Sequence, residues 1–253
     1  MKSRLFGQRQ RKLERIHAAP AGTRIYAIGD IHGSLVPLRL LREAIREHAE
    51  AHPIERKCLI YLGDYIDRGF DSRAVIETLV NDPLPGFEHV FLKGNHEDSL
   101  LRFLADGTNA LFWVAYGGIA TMFSYDVKPP DPVTDEKEVT RARKDLAKKL
   151  PAAHLDFLAK LEPYRIEGDY LFVHAGIRPG VPIDEQREED LLWIRDDFLH
   201  SQQEFGKCVV HGHSISREPD FQPNRIGIDT GAFASGTLTC LVLEGNKQGL
   251  LAT

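Results

Sequence analysis

Three times in the first hundred residues, a short apolar run stops at a glycine-bounded polar loop and a helix-period pattern follows. The runs span 24–28, 58–62 and 89–92, the loops 29–33, 63–69 and 94–97, and the helical patterns about 36–49, 72–80 and 98–104. Apolar, β-branched or aromatic runs of this length bounded by turn residues read as strands. Strand, loop and helix in series predict parallel strands joined by right-handed βαβ crossovers. All three polar loops then lie at the carboxyl ends of neighbouring strands, the edge where open α/β sheets place ligands.

The later pattern is different. The longest uncharged stretch, 110–125, is short for a membrane span and contains Gly117 and Gly118. It reads as buried structure near the core. A Pro- and Asp-rich surface loop follows at 126–133, then an exposed charged helix at 135–149 and another helix at 152–161. Residues 110–162 could form a cap or a rim. Runs at 164–166 and 170–173 flank Glu167-Gly168-Asp169 and predict a hairpin. Further strands are expected at 207–210, 225–228 and 237–243. The predicted class is α/β: two packed sheets with helices outside, in one domain over 23–253.

Composition narrows the classes. Of 253 residues, 42% are hydrophobic and 27% charged, an ordinary globular balance with enough apolar material for one large core. The net charge of -5 does not suit a protein that coats nucleic acid. Only 1–22 runs against that trend. There Lys2, Arg4, Arg9, Arg11, Lys12 and Arg15 face Glu14 alone, and the stretch reads as a solvated basic arm. No apolar segment of signal-peptide type follows it. With no anchoring signal either, no membrane association is expected and the cytoplasm is the default location. Cys58, Cys208 and Cys240 sit in apolar runs with no Cys-x-x-Cys pair, and read as buried reduced thiols.

The chemistry gathers in five strings at predicted strand ends: Gly29-Asp30-Ile31-His32-Gly33, Gly63-Asp64-Tyr65-Ile66-Asp67-Arg68-Gly69, Gly94-Asn95-His96-Glu97, His174-Ala175-Gly176 and His211-Gly212-His213. Asp30 and His32 are two apart, so on an extended segment they point the same way and suit one cation. A carboxylate has two oxygens, and Asp64 could bridge two cations about 3.5–4 Å apart. Asn95, His174 and His213 would complete the ligand set of the second cation. Nitrogen and oxygen donors without thiolate suit Mn, Fe or Zn. One Asp-x-His is a weak signal and Asn95 alone could cap a helix; five strings in consistent order are hard to explain as caps.

These strings resemble the phosphoprotein phosphatase branch of the calcineurin-like metallophosphoesterases, and bacterial Ser/Thr protein phosphatases above all. The resemblance spans about 24–243 and implies a β-sandwich of two mixed sheets flanked by helices. It implies one divalent ion on Asp30, His32 and Asp64 and a second on Asp64, Asn95, His174 and His213, with manganese favoured. His96 would protonate the leaving oxygen, Asp67 would orient His96, and Arg68 would grip the phosphate. Arg195 resembles a second phosphate-binding arginine, against the alternative of a surface ion pair with Glu188, Glu189 or Asp196. Ile215 stands where many wider metallophosphoesterases place another His. The Ser-Ala-Pro-Asn-Tyr segment of the eukaryotic enzymes is absent, and Gly227-Ile228-Asp229-Thr230-Gly231 occupies that region. The implied activity is hydrolysis of phosphate monoesters, phosphoserine and phosphothreonine in proteins included, by a metal-bridging hydroxide. A diadenosine-tetraphosphate hydrolase shares the Gly-Asp-x-His-Gly string and is the alternative; the intact Asp67-Arg68 pair argues against it. Glu97 would brace the following helix, Tyr65 would pack, His211 would be structural, and Asp229 could lie just behind the ligands.

Overall fold

Alternation along the first strand decides the layering. In β1 (Thr23–Ile28), Ile25 and Ala27 face one way and Tyr26 and Ile28 the other, and all four are buried. Successive strand side chains point to opposite faces, so a strand apolar at every position must be covered on both sides. The computed structural model describes residues 17–253. After β1 come α1 (Leu35–Ala51), β2 (Arg56–Tyr61), α2 (Ser72–Asn81), β3 (Glu88–Phe91) and α3 (Asn95–Ala105). The chain continues through α4 (Ala110–Trp113), a wide turn over Val114–Gly118, α5 (Ile119–Ser124), α6 (Glu136–Lys149) and α7 (Ala152–Ala159). The second half holds β4 (Tyr164–Glu167), β5 (Tyr170–Val173), α8 (Glu188–Trp193), α9 (Asp196–Leu199) and β6 (Cys208–His211). It ends with β7 (Asp220–Phe221), β8 (Arg225–Gly227), α10 (Ala232–Ser235), β9 (Thr239–Glu244) and β10 (Lys247–Ala252).

Two mixed five-stranded sheets result, in the orders β10-β9-β1-β2-β3 and β4-β5-β6-β8-β7. The predicted parallel register is present: β1 pairs parallel with β2 and β2 with β3, while β9 runs antiparallel to β1. In the second sheet β5, β6 and β8 are parallel, edged by antiparallel β4 and β7. Ile25, Ala27, Ile60 and Leu62 meet Phe172, Val210 and Ile226 in the dry layer between the sheets. Tyr26, Ile28, Leu59 and Tyr61 face outward against Leu38, Leu41 and Ile45 of α1 and Val75 and Ile76 of α2. Leu171, Val173 and Val209 cover the opposite face with Leu191 of α8 and Phe198 of α9. Full burial of each such side chain contributes about 1.5–3 kcal/mol, so the sandwich is held by layers rather than by any one contact. All three cysteines are free and buried.

Several expectations need correction. The 110–125 stretch is buried on one side only: Trp113, Thr121 and Met122 are inside, while Leu111, Tyr116 and Phe123 are more than half exposed. A run apolar all round reads as core, but short helices on a rim can bury one stripe and leave the other outside. Helix α3 starts at Asn95 rather than near 98, because Gly94 takes the N-cap place and Glu97 bonds back to the Gly94 N–H. Within 110–162, α6 and α7 pack against the helical layer through Ala142, Leu146 and Leu158. Of the proposed basic arm, residues 1–16 lie outside the described residues. Residues 17–22 cross the end of the sandwich, where the Ala18 N–H donates to Asp169 and the Ala19 N–H to Gly245 O. Among the described residues no helix is long and apolar enough to cross a membrane.

Candidate metal centre

The carboxyl ends of six strands from both sheets meet at one edge. Asp30 follows β1, Asp64 follows β2, Asn95 and His96 open α3 after β3, His174 follows β5, His213 follows β6 and Asp229 follows β8. All seven side chains are buried. Glycine lets the backbones close in: a Cβ on Gly212 would overlap Asp30 Oδ1, and one on Gly94 would overlap Asp64. The turns are tight enough that His32, Asp64, Asp67, Arg68 and His213 adopt positive φ of 46–70°, a region non-glycine residues seldom enter.

The donor set shows what this edge can hold. The His174 Nδ1–H donates to Leu62 O at 2.9 Å, which leaves a lone pair on Nε2 of the neutral ring. That Nε2 lies 2.8 Å from Asn95 Oδ1 and 3.4 Å from Asp64 Oδ2. Three acceptors converge there, and His213 Nδ1 adds a fourth group 2.9 Å from Asn95 Oδ1. His213 Nε2 is buried without a partner, so either tautomer leaves one of its nitrogens unsatisfied. On the other side the His32 Nδ1–H donates to Ile66 O at 2.9 Å, and Nε2 faces Asp64 Oδ2 at 3.4 Å and Asp30 Oδ2 at 4.0 Å. Buried lone pairs and carboxylates in this arrangement require positive charge between them.

The electrostatics agree. Burial pushes the Asp30 carboxyl well above its usual range, and Asp229 and Asp64 add to the rise. Burial pulls His174 down, but Asp64 more than offsets it and carries the imidazole up to about 10. His213 falls to about 2 through burial and the nearby His174, and burial takes His32 to about 3. Side chains alone thus contest one proton among many acceptors; a cation suits them better. Two groups bring donor atoms within 4.8 Å of one another and have the chemistry to hold a metal ion, His32, Asp64 and His96 on one side and Asp64, His174 and His213 on the other; Asp30 stands beside the first and Asn95 beside the second.

Beside this cage stands a polar apparatus. The His96 Nδ1–H donates to Asp67 Oδ2 at 2.7 Å, so His96 Nε2 is the nitrogen that faces the cage, 3.9 Å from Asp64 Oδ2. Arg68 sends Nη1 to His32 Nε2 at 2.9 Å and Nη2 to His96 Nε2 at 3.2 Å, while Phe233 lies under its guanidinium at 5.0 Å. Asp67 is held by three further groups: Trp113 Nε1 donates to Oδ2 at 2.8 Å, Thr121 Oγ1 donates to Oδ1 at 2.5 Å, and the Asp67 N–H reaches Ser72 Oγ at 3.0 Å. Glu97 braces the β2 loop as well as its own helix, accepting N–H bonds from Asp64 and Tyr65.

Other candidates take simpler places. Arg195 is exposed and, among the described residues, has no ion pair. It borders a cleft of about 430 Å³ with Trp193, whose ring lies 6.1 Å from His213. Tyr65 is buried and donates to Leu92 O, and His211 turns away towards Arg225 and Phe198. Asp229 Oδ1 accepts from the Gly231 N–H, and its Oδ2 is buried without a partner behind Asp30. Trp113, Thr121, Ser72 and Phe233 were not singled out in the sequence. The available signal was a tryptophan in an uncharged stretch, since a buried indole N–H needs an acceptor.

Comparison with known proteins agrees with this geometry. The family model for calcineurin-like phosphoesterases matches residues 23–232. A bis(5'-nucleosyl)-tetraphosphatase PrpE of Anoxybacillus flavithermus is 30% identical over 233 residues, 85% of this chain and 88% of its own length. One from Bacillus thuringiensis is 30% identical over 234 residues with the same coverage. A solved structure provisionally assigned as a diadenosine tetraphosphatase superposes with a TM-score of 0.60 at 22% identity, covering 92% of this chain and 98% of that one. The cold-active protein-tyrosine phosphatase of a Shewanella species gives 0.54 at 16% identity, covering 93% and 81%. Both structures share the fold, two mixed sheets flanked by helices. This chain belongs to the calcineurin-like phosphoesterase family and is a metallophosphoesterase.

Proposed function

We propose that this enzyme hydrolyses phosphate monoesters with two divalent ions, most readily manganese, iron and zinc being the alternatives. The observation that carries the reading is the convergence of His174 Nε2, Asn95 Oδ1 and Asp64 Oδ2, which share a proton held on His174 or, with that ring neutral, offer three lone pairs to one cation. Divalent ions bound there neutralise phosphate charge and make water a nucleophile near neutral pH. Arg68 presents a planar fork to the phosphoryl oxygens. His96, its Nδ1–H engaged by Asp67, delivers a proton from Nε2 in its imidazolium form to the leaving oxygen as the phosphorus–oxygen bond breaks, once Arg68 Nη2 has turned from that nitrogen to the phosphate. Arg195, which lines the cleft beside Trp193, binds the outer part of the substrate.

A proton donor bears on the substrate class. An alkoxide leaving group is a strong base and needs the proton; a nucleotide phosphate leaves without one. The Asp67–His96 pair therefore supports phosphate monoesters, phosphoserine and phosphothreonine among them, and a place in the phosphoprotein phosphatase branch. A second reading, asymmetrical cleavage of a dinucleoside tetraphosphate, is supported by the name that the 30%-identical relatives carry. A panel of phosphoserine, phosphothreonine and phosphotyrosine peptides, nucleotides and diadenosine tetraphosphate, each with Mn²⁺, Zn²⁺ and Mg²⁺, tests both. Higher kcat/KM on the phosphopeptides supports the first reading, and a sharp preference for the dinucleotide replaces it with the second. Absence of metal-dependent turnover on every substrate sinks both.

A further inference from the structure

We infer that Trp113 and Thr121 are positioning residues for proton donation: they fix the Asp67 carboxylate so that His96 Nε2 points at the leaving oxygen. The inference rests on the reading of His96 as the proton donor. Asp67 has no water-facing surface; its side chain is fully buried. Each of its oxygens takes a donor from the rim segment, Oδ1 from Thr121 Oγ1 at 2.5 Å and Oδ2 from Trp113 Nε1 at 2.8 Å. His96 Nδ1 then has one direction left, along Oδ2 at 2.7 Å. A carboxylate only accepts, so this contact keeps the proton on Nδ1 and commits Nε2 to the reaction.

The clamp is rigid for physical reasons. Trp113 is itself fully buried, with Phe103 at 4.7 Å and Gly118 packed so closely that a Cβ there would overlap the indole. Among the described residues its N–H has no other acceptor, and a buried donor left without one is costly. Thr121 works in both directions, donating to Oδ1 and accepting the Asp67 N–H at 2.9 Å. Without these donors the carboxylate could rotate towards Arg68, its neighbour in sequence, and His96 would lose its guide. Both clamp residues come from α4–α5, whose outer face carries the exposed Leu111, Tyr116 and Phe123. One short segment therefore forms the rim and aligns the proton donor.

The test compares a substrate that needs the proton with one that does not. On the Mn²⁺-loaded enzyme, kcat and KM are measured for glycerol phosphate, an alkyl ester, and for p-nitrophenyl phosphate, whose leaving group is a weak base. General acid catalysis typically contributes about 10²–10⁴-fold. Trp113→Phe and Thr121→Val should each lose roughly tenfold of that in kcat on glycerol phosphate, with KM and p-nitrophenyl phosphate turnover nearly unchanged. Thr121→Ser, which keeps the hydroxyl, should recover the wild-type ratio. The Nδ1–H resonance of His96, held in the wild type, should broaden in both loss variants. If Trp113→Phe does not fold, Thr121→Val against Thr121→Ser carries the comparison alone. Equal losses on both substrates, or no loss while His96→Gln shows the leaving-group-dependent one, overturns the inference but spares the proton-donor reading. A His96→Gln variant without leaving-group dependence overturns both.

Discussion

His174 Nε2 and Asn95 Oδ1 stand 2.8 Å apart, each offering a lone pair to the same point, with Asp64 Oδ2 at 3.4 Å from the imidazole. Such a site should be stabilised by the ions it binds. Chelation should abolish turnover and lower the melting temperature, and Mn²⁺ should restore both; an ion at a hundred times its dissociation constant adds about 2.7 kcal/mol. His174→Ala should bind one metal fewer per chain by elemental analysis. Two ions retained in that variant would be incompatible with the ligand assignment.

Arg68 should matter through its shape as well as its charge. Its two Nη atoms reach His32 and His96 while Phe233 lies under its plane. Lysine cannot copy a planar fork. Arg68→Lys should therefore lose most of what Arg68→Ala loses, on the order of a hundredfold in kcat/KM, as removal of a positioned charge stabiliser commonly costs. Recovery of near wild-type kinetics in Arg68→Lys would show that charge alone suffices.

Arg195 is the contrasting case. It is exposed and unpaired among the described residues, so its removal should leave stability within about 0.5 kcal/mol. Arg195→Ala should raise KM for a charged substrate, an effect that shrinks as salt rises because exposed charges are screened. A drop in melting temperature without a change in KM would return Arg195 to a structural role.

Acid stability should depend on one cross-sheet pair. Arg56 of β2 binds Glu167 of β4 at 2.7 Å, and Arg165 and Glu88 extend the network. Arg56 holds the Glu167 carboxyl below its ordinary 4.5, against the opposing effect of burial. A depressed folded-state value means the stabilisation is complete above the unfolded value and disappears as pH falls through the folded one. Glu167→Gln should cost roughly 1 kcal/mol at pH 7, near the upper value for partly exposed pairs. The variant and wild type should converge in urea titrations as pH falls below 4.5 and through the depressed folded value.

Gly212→Ala tests the cage without touching a ligand. Its new Cβ would overlap Asp30 Oδ1, so the carboxylate must move. The fold should persist and metal affinity should fall, by roughly the 10–100-fold that loss of a supporting group commonly costs. Unchanged Mn²⁺ affinity by calorimetry would show that Asp30 does not contribute to the ion site.

The first half of the fold was legible because its strands are apolar towards their carboxyl ends and run into glycine-bounded loops, so pattern and punctuation agree. β10 was not read: it pairs only with β9, most of it is exposed, and its sequence, Lys-Gln-Gly-Leu-Leu-Ala, has no alternation. β7, two residues long, offers no period at all. α8 lies in an acidic run whose three carboxylates occupy its first turn, a signal easily taken for loop. At the candidate site, the residues at five of the six strand ends could be named from five short strings, because ligand chemistry needs particular side chains beside glycine, and Asp229 after β8 came from a separate glycine-bounded segment. Trp113 and Thr121 could not, since nothing local tells a tryptophan with a buried acceptor from one that merely fills space. The exposed face of α4–α5 was missed for the related reason that apolar composition alone does not say which side meets water.

The left-handed backbone at His32, Asp64, Asp67, Arg68 and His213 has an evolutionary corollary. Residues held in sparsely populated conformations cost of order 1–3 kcal/mol each. Glycine would relieve that backbone cost but delete the side chain, and at Asp67 it would leave the Trp113 N–H and the His96 Nδ1–H without their acceptor, at about 1–3 kcal/mol for each buried donor. The tension is thus tied to the side chains it serves and cannot be shed by a single substitution.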